Sequence, residues 1–206
     1  YKNILVITND FGPRTGGIET FVMGLLERIV DHKVVVFTSQ QGDTSEYDQQ
    51  WFKKFGVQVI RDRSKILLPS LRVDKRAKEI AQMHNIEVVV FGAAAPLALM
   101  APKLRKAGVK KIIALTHGHE VWWARIFPFN LAMKRIGNSV DHLTYLGEFT
   151  RQAISRSLSQ KSIDSMVKIA PGIDTFHFSP QADATQRRTE LGLESKKIII
   201  SVGRLV

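Results

Sequence analysis

The chain has 206 residues, no cysteine, and thirty lysines and arginines against nineteen aspartates and glutamates, for a formal net charge of +11. The missing cysteines exclude disulfides, thiol nucleophiles and thiolate metal sites, and they suit a reducing compartment. The charge favours polyanionic partners (nucleic acid, phosphorylated ligands or an anionic membrane surface), and the length admits one large domain or one domain with part of another.

Ile4-Leu5-Val6-Ile7-Thr8 is apolar and β-branched without polar alternation, the pattern of a strand buried on both faces. Asn9 to Gly17, with three glycines and a proline, predicts a loop. Ile18, Phe21, Val22, Leu25, Leu26 and Ile29 then recur with helical period, which puts Glu19 and Glu27 outward. Thr15 is the expected cap. Gly16-Gly17 would let backbone N–H groups at the positive helix end approach a phosphate, and the alternative is a simple tight turn.

Further strands are predicted at Lys33 to Thr38, Val57 to Ile60, Glu87 to Phe91, Lys111 to Thr116, Asp141 to Leu146 and Met166 to Ala170. Ser39 to Asp48 reads as loop. Helices are expected at Arg72 to His84, from Pro96 to near Gly108, at Ala124 to Ile136 with a break at Pro128, and at Glu148 to Leu158. The alternation predicts an α/β fold, a doubly wound and mostly parallel sheet. Beyond Pro171-Gly172 the pattern changes to a linker, a short polar helix at Asp183 to Leu191 and a buried strand at Lys196 to Val202. The expected division is a Rossmann-like domain over 1–175 and the start of a second over 176–206, its remainder outside this chain. No secretory signal is recognisable, and Val88 to Pro102, interrupted by Gly92 and Pro96, is too short to span a bilayer, so a soluble protein is expected.

Thr116-His117-Gly118-His119-Glu120 closes the fifth strand, where sites in such sheets sit. His117 and His119 would point the same way in extended chain, but a metal would need a third ligand that is not evident, and position 123 is Trp, so the HExxH zinc pattern fails. A histidine satisfied within the strand end is the plain alternative. The dinucleotide GxGxxG, the Gly-Lys-Ser/Thr phosphate loop and the GxSxG elbow are absent. Lys65, Leu67, Leu68, Arg72, Lys75 and Arg76 combine apolar anchors with cations, as interfacial membrane binding requires; Trp122, Trp123, Ile126, Phe127 and Phe129 with Arg125, Lys134 and Arg135 form a second such group. Ordinary core leucines beside a solvated basic face would give the same letters. Aromatics do not interleave along a basic stripe, which disfavours a nucleic-acid module.

Taken together, TNDFGPRTGGIE, THGHE, APGIDTFHFSP and SVGRLV resemble the retaining GT-B glycosyltransferases of the large fourth family over essentially the whole chain. FGAAAPLALMAP followed by THGHEVWWA resembles the phosphatidyl-inositol mannosyltransferases within it. The resemblance implies transfer of mannose from GDP-mannose to a phosphatidyl-inositol lipid without a metal or other cofactor, by an enzyme peripheral to the cytoplasmic face of the plasma membrane. It implies that His117 lies beside the transferred sugar, that Gly16, Gly17 and Arg204 serve the donor diphosphate, and that Asn9, Asp10, Arg14, His119 and Glu120 face the acceptor. Pro171 departs from the family's usual asparagine, so that turn receives no contact. A related transferase with another nucleotide sugar or a soluble acceptor is the alternative, and this chain alone is expected to be inactive.

Overall fold

A computed structural model describes residues 2–176, 178–179 and 183–201. The chain forms two compact units, which divide between Pro171 and Gly172.

The first unit is built on seven parallel strands, β1 (Asn3–Ile7), β2 (Lys33–Ser39), β3 (Gln58–Asp62), β4 (Val88–Phe91), β5 (Lys111–Ala114), β6 (His142–Tyr145) and β7 (Val167–Lys168). Their spatial order is β3-β2-β1-β4-β5-β6-β7. The apolar runs are explained by burial on both faces. Leu5 and Ile7 join one core cluster and Ile4 and Val6 the other, and β2 repeats the division with Val35 and Phe37 against Val34 and Val36. Each fully buried aliphatic side chain is worth about 1.5–3 kcal/mol.

On one face lie α1 (Gly17–Leu26) and α2 (Ser45–Phe55). Sequence periodicity did not predict α2, whose first residues were expected in a loop. Its buried stripe consists of aromatics four residues apart, Tyr47, Trp51 and Phe55, which gather on Phe11 and on one another at ring separations of 4.9–6.5 Å. The other face is covered by α3 (Leu71–Met83), a 3₁₀ turn at Leu97–Met100 running into α4 (Ala101–Lys106), and α6 (Phe129–Ser139), with α7 (Glu148–Ser155) beside them. A short α5 (Glu120–Arg125) precedes α6, and α8 (Gln160–Asp164) precedes β7. No helix among the described residues is long and apolar enough to cross a membrane.

The second unit contains α9 (Thr185–Glu190), close to the polar helix expected. The strand expected at Lys196 to Val202 is not formed over residues 196–201, where Ile199 is 98% exposed. An isolated β-branched run has no ladder to join, and propensity without a partner does not make a strand.

The strand tips are packed tightly where β1 and β4 adjoin. A Cβ added to Gly92, just after β4, would lie 2.5 Å from the Cβ of buried Thr8, just after β1. Gly92→Ala is therefore expected to cost about 1–3 kcal/mol by overpacking and to lower the thermal unfolding midpoint by several degrees. Calorimetry of the variant beside the wild type checks this.

Candidate functional site

Between β1 and β4 the chain reverses its direction of progress across the sheet, so the loops after these neighbours part and leave a crevice at their carboxyl ends. Residues 8–16 form one lip. Arg61, on β3 and only 5% exposed in its side chain, supports this loop from below: it donates to Asp48 through Nε and Nη2 at 2.8 Å, to the Ser39 carbonyl at 3.0 Å and to the Gly12 carbonyl at 2.7 Å. Gln41 adds a second strut, donating to the Phe11 carbonyl at 2.9 Å and accepting from the Arg14 N–H at 3.3 Å. The long-range partners of Arg61 are invisible in local sequence.

Gly16, in extended backbone, is the cap residue of α1 in place of the expected Thr15, and no side chain closes the helix start. A Cβ on Gly17 would meet nothing within 4 Å. The first turn is therefore open on its Gly17 side, and the helix dipole favours negative charge there, part of which Glu19 already supplies. Glu19 is buried, contrary to the outward position its periodicity suggested. It accepts from Arg14 Nε at 2.8 Å and folds back so far that a Cβ on Gly16 would lie 2.9 Å from its carboxyl carbon. The arginine and the positive helix end together outweigh period in placing it.

Opposite stands the tip of β5. Thr116 locks it to β6, its hydroxyl donating to the Thr144 carbonyl at 2.7 Å. His117 follows, with Nε2 2.6 Å from the Gly92 carbonyl and its ring edge-on to Phe21 of α1, centroids 5.2 Å apart. The imidazole thus packs on α1 and reaches the loop after β4. Asp10, on the first lip, feels the charges of both histidines. Burial raises its pKa above the ordinary carboxylate value and the charge of Glu19 pushes the same way, opposed by Arg14, His117 and His119. Arg14 Nη2 is 3.8 Å from Asp10 Oδ1.

Several expected residues stand elsewhere or are otherwise engaged. Both polar atoms of the Asn9 amide are used on the Leu67 main chain, accepting at 2.6 Å and donating at 3.0 Å, so Asn9 fastens the 63–70 loop. Glu120 has no exposure and cannot touch an acceptor directly. Leu67 belongs to the core and is no membrane anchor. Its neighbours Ile66, Leu68 and Leu71 are 62%, 56% and 83% exposed, with Lys65, Lys75 and Arg76 exposed beside them. Arg72 is held by Asp62 in a two-pronged pair at 2.6 and 2.8 Å, which keeps the Asp62 carboxyl well below its usual range. Arg204 lies outside the described residues. Among the described residues no cluster of three His, Asp or Glu side chains could hold a metal.

Residues 15–176 match the model of Glycosyltransferase Family 4. The GDP-mannose-dependent alpha-(1-6)-phosphatidylinositol monomannoside mannosyltransferase of Mycolicibacterium smegmatis is 36% identical over 98% of this chain and 53% of its own length. The GDP-mannose-dependent monoacylated alpha-(1-6)-phosphatidylinositol monomannoside mannosyltransferase of Corynebacterium glutamicum is 34% identical over 100% of this chain and 54% of its own length. The chain thus spans about half the length of the curated relatives it matches. Among solved structures, Anabaena HepE in complex with UDP and glucose superposes with a TM-score of 0.66 at 14% identity, over 94% of this chain and 51% of that one. A glycosyltransferase from Rickettsia africae gives 0.62 at 17%, over 94% and 50%. At such identities these two speak for the fold alone, which is one half of the GT-B arrangement.

Asp10 carries a pH-dependent prediction. Its folded pKa is raised above the ordinary 3.8, so its contribution is most favourable below that value and is lost as pH rises through the folded pKa. At neutral pH the carboxylate is a liability to stability. Asp10→Asn is expected to unfold at a higher temperature than the wild type at pH 7 and to lose that advantage near pH 3. Thermal denaturation at the two pH values checks it.

Proposed function

Because the chain belongs to Glycosyltransferase Family 4, we propose that it is the acceptor-side half of an enzyme that transfers mannose from GDP-mannose to a phosphatidyl-inositol mannoside with retention of configuration. The observation that carries this reading is the packing of Phe21 of α1, a helix whose first turn has no side-chain cap and is open at Gly17, edge-on to the His117 imidazole. Relatives at 34–36% identity over nearly the whole chain are named for that donor and acceptor. In this reading the start of α1 receives the donor diphosphate or the sugar beside it, through backbone N–H groups and the helix dipole. His117 lies next to the transferred sugar and the acceptor hydroxyl, and Asp10, Arg14 and His119 line the acceptor side. Residues 176–206 lead into a donor-binding half, to which Arg204 contributes a cation for the diphosphate.

The acceptor is a lipid, so the protein must work at a membrane surface, here the anionic cytoplasmic face of the plasma membrane. Support comes from the exposed Ile66, Leu68 and Leu71 beside exposed Lys65, Lys75 and Arg76. A second patch has exposed Trp122, Phe127 and Leu131 with Arg125, Lys134 and Arg135, and the sequence from 121 to 140 has no acidic residue. Apolar anchors enter the headgroup region, and each nearby cation adds about 1 kcal/mol against anionic lipid.

Two measurements test this. In the full-length protein His117→Ala should lower mannose transfer from GDP-mannose to the inositol lipid by about 100-fold or more, on the scale of losing a principal transition-state contact, as followed by mass spectrometry of the lipid. Full activity would remove His117 from the site. In flotation with vesicles containing phosphatidylinositol, replacing Lys65 and Lys75 together with Ala should weaken binding by roughly tenfold or more at low salt. Equal binding of the wild type to neutral and anionic vesicles would end the electrostatic part of the reading.

A further inference from the structure

No carboxylate among the described residues is as enclosed as that of Glu120, at 0% exposure. Burying an ionised carboxylate is strongly unfavourable unless donors surround it, so its partners indicate its role. One oxygen, Oε2, accepts the main-chain N–H of His117 at 3.0 Å. The other, Oε1, has no hydrogen bond in the resting geometry, yet lies 3.2 Å from Nε2 of His119.

The tautomers follow from what each nitrogen faces. His119 Nε2 is 3.5 Å from the Ala95 carbonyl, which can only accept, and lies beside a Glu120 carboxyl oxygen. His117 Nε2 faces the Gly92 carbonyl at 2.6 Å, also an acceptor. Each Nε2 therefore carries a hydrogen. In both rings Nδ1 is left without a hydrogen-bond partner among the described residues. Two imidazoles two positions apart thus each turn Nε2 toward an acceptor, and Glu120 holds the backbone of one and lies beside the ring of the other.

We infer that Glu120 is a positioning residue for the proposed transfer: its buried carboxyl group fixes the main chain of His117 with one oxygen and sets the other 3.2 Å from the His119 ring, so that both histidines keep Nδ1 free for substrate. This rests on the reading of His117 as the imidazole beside the transferred sugar, and it moves Glu120 from the acceptor side to the support beneath it. Groups that fix the tautomer and orientation of an active-site histidine commonly govern rate without touching substrate.

The test uses the full-length enzyme with GDP-mannose and an inositol lipid. Glu120→Gln keeps the size of the side chain but replaces one acceptor oxygen with a donor, so it cannot accept from both histidines at once. The expected result is a kcat lowered by about tenfold to hundredfold, with KM for GDP-mannose within about twofold. In spectra of ¹⁵N-histidine-labelled protein the His119 signal should leave the Nε2–H form. Glu120→Asp, which keeps the charge on a shorter arm, should recover part of the rate. A wild-type kcat in Glu120→Gln overturns the inference. So does a rate loss that merely matches a smaller folded fraction while both tautomers stay unchanged. The His117→Ala variant separates this failure from that of the underlying reading. If it is inactive while Glu120→Gln behaves as wild type, Glu120 alone is removed. If it is fully active, the site reading and this inference fall together.

Discussion

The crevice depends on one buried guanidinium. Arg61 crosses from β3 beneath the loop after β1 and ties Gly12 to Ser39 and Asp48. The loop has few apolar side chains of its own to settle it, Phe11 being the main one, so its path is set by polar contacts to a scaffold that is already rigid. Removing one partner from a buried pair of this kind typically costs about 3–5 kcal/mol, because the other is left uncompensated. That contact and the Gln41 strut hold the middle of the loop, with Phe11 packed on Tyr47 and Trp51 and Arg14 paired to Glu19.

On this support rests a set of charges that burial leaves only partly compensated. Asp10 is desolvated next to Glu19, a like charge, with Arg14 and two histidines supplying partial compensation. The start of α1 is left without a side-chain cap, although a single serine or aspartate would have filled it. Protein interiors seldom leave such groups in place without a use, and sites that bind anions and sugars are where local stability is commonly sacrificed. The close fit of Gly92 against Thr8 has the same character. There the Gly92 carbonyl remains available to the His117 ring.

Much of this was legible in the sequence. The strands β1, β2, β4 and β5 stood out because both of their faces are buried, leaving β-branched runs without polar alternation. The glycine loop and the imidazole at the end of the fifth strand were visible because strand order dictates where sites in such sheets lie. What stayed hidden depended on distant partners. The helix α2 buries an aromatic stripe in a polar segment, Leu67 turns inward because Asn9 grips its main chain, and Glu19 turns inward toward Arg14. The 196–201 segment has strand-like residues but no neighbour to pair with. Chemistry close in sequence could be read, and pairing across the fold could not.

The central claim is that the start of α1 and the tip of β5 form two walls of one donor and acceptor crevice. Hydrogen exchange of the full-length protein with and without GDP-mannose tests it most directly. The account predicts joint protection of residues 14–20 and 115–120, with no change at the opposite strand edge around residues 82–87 and 107–111. Protection confined to that opposite edge, or of only one of the two walls, would contradict it.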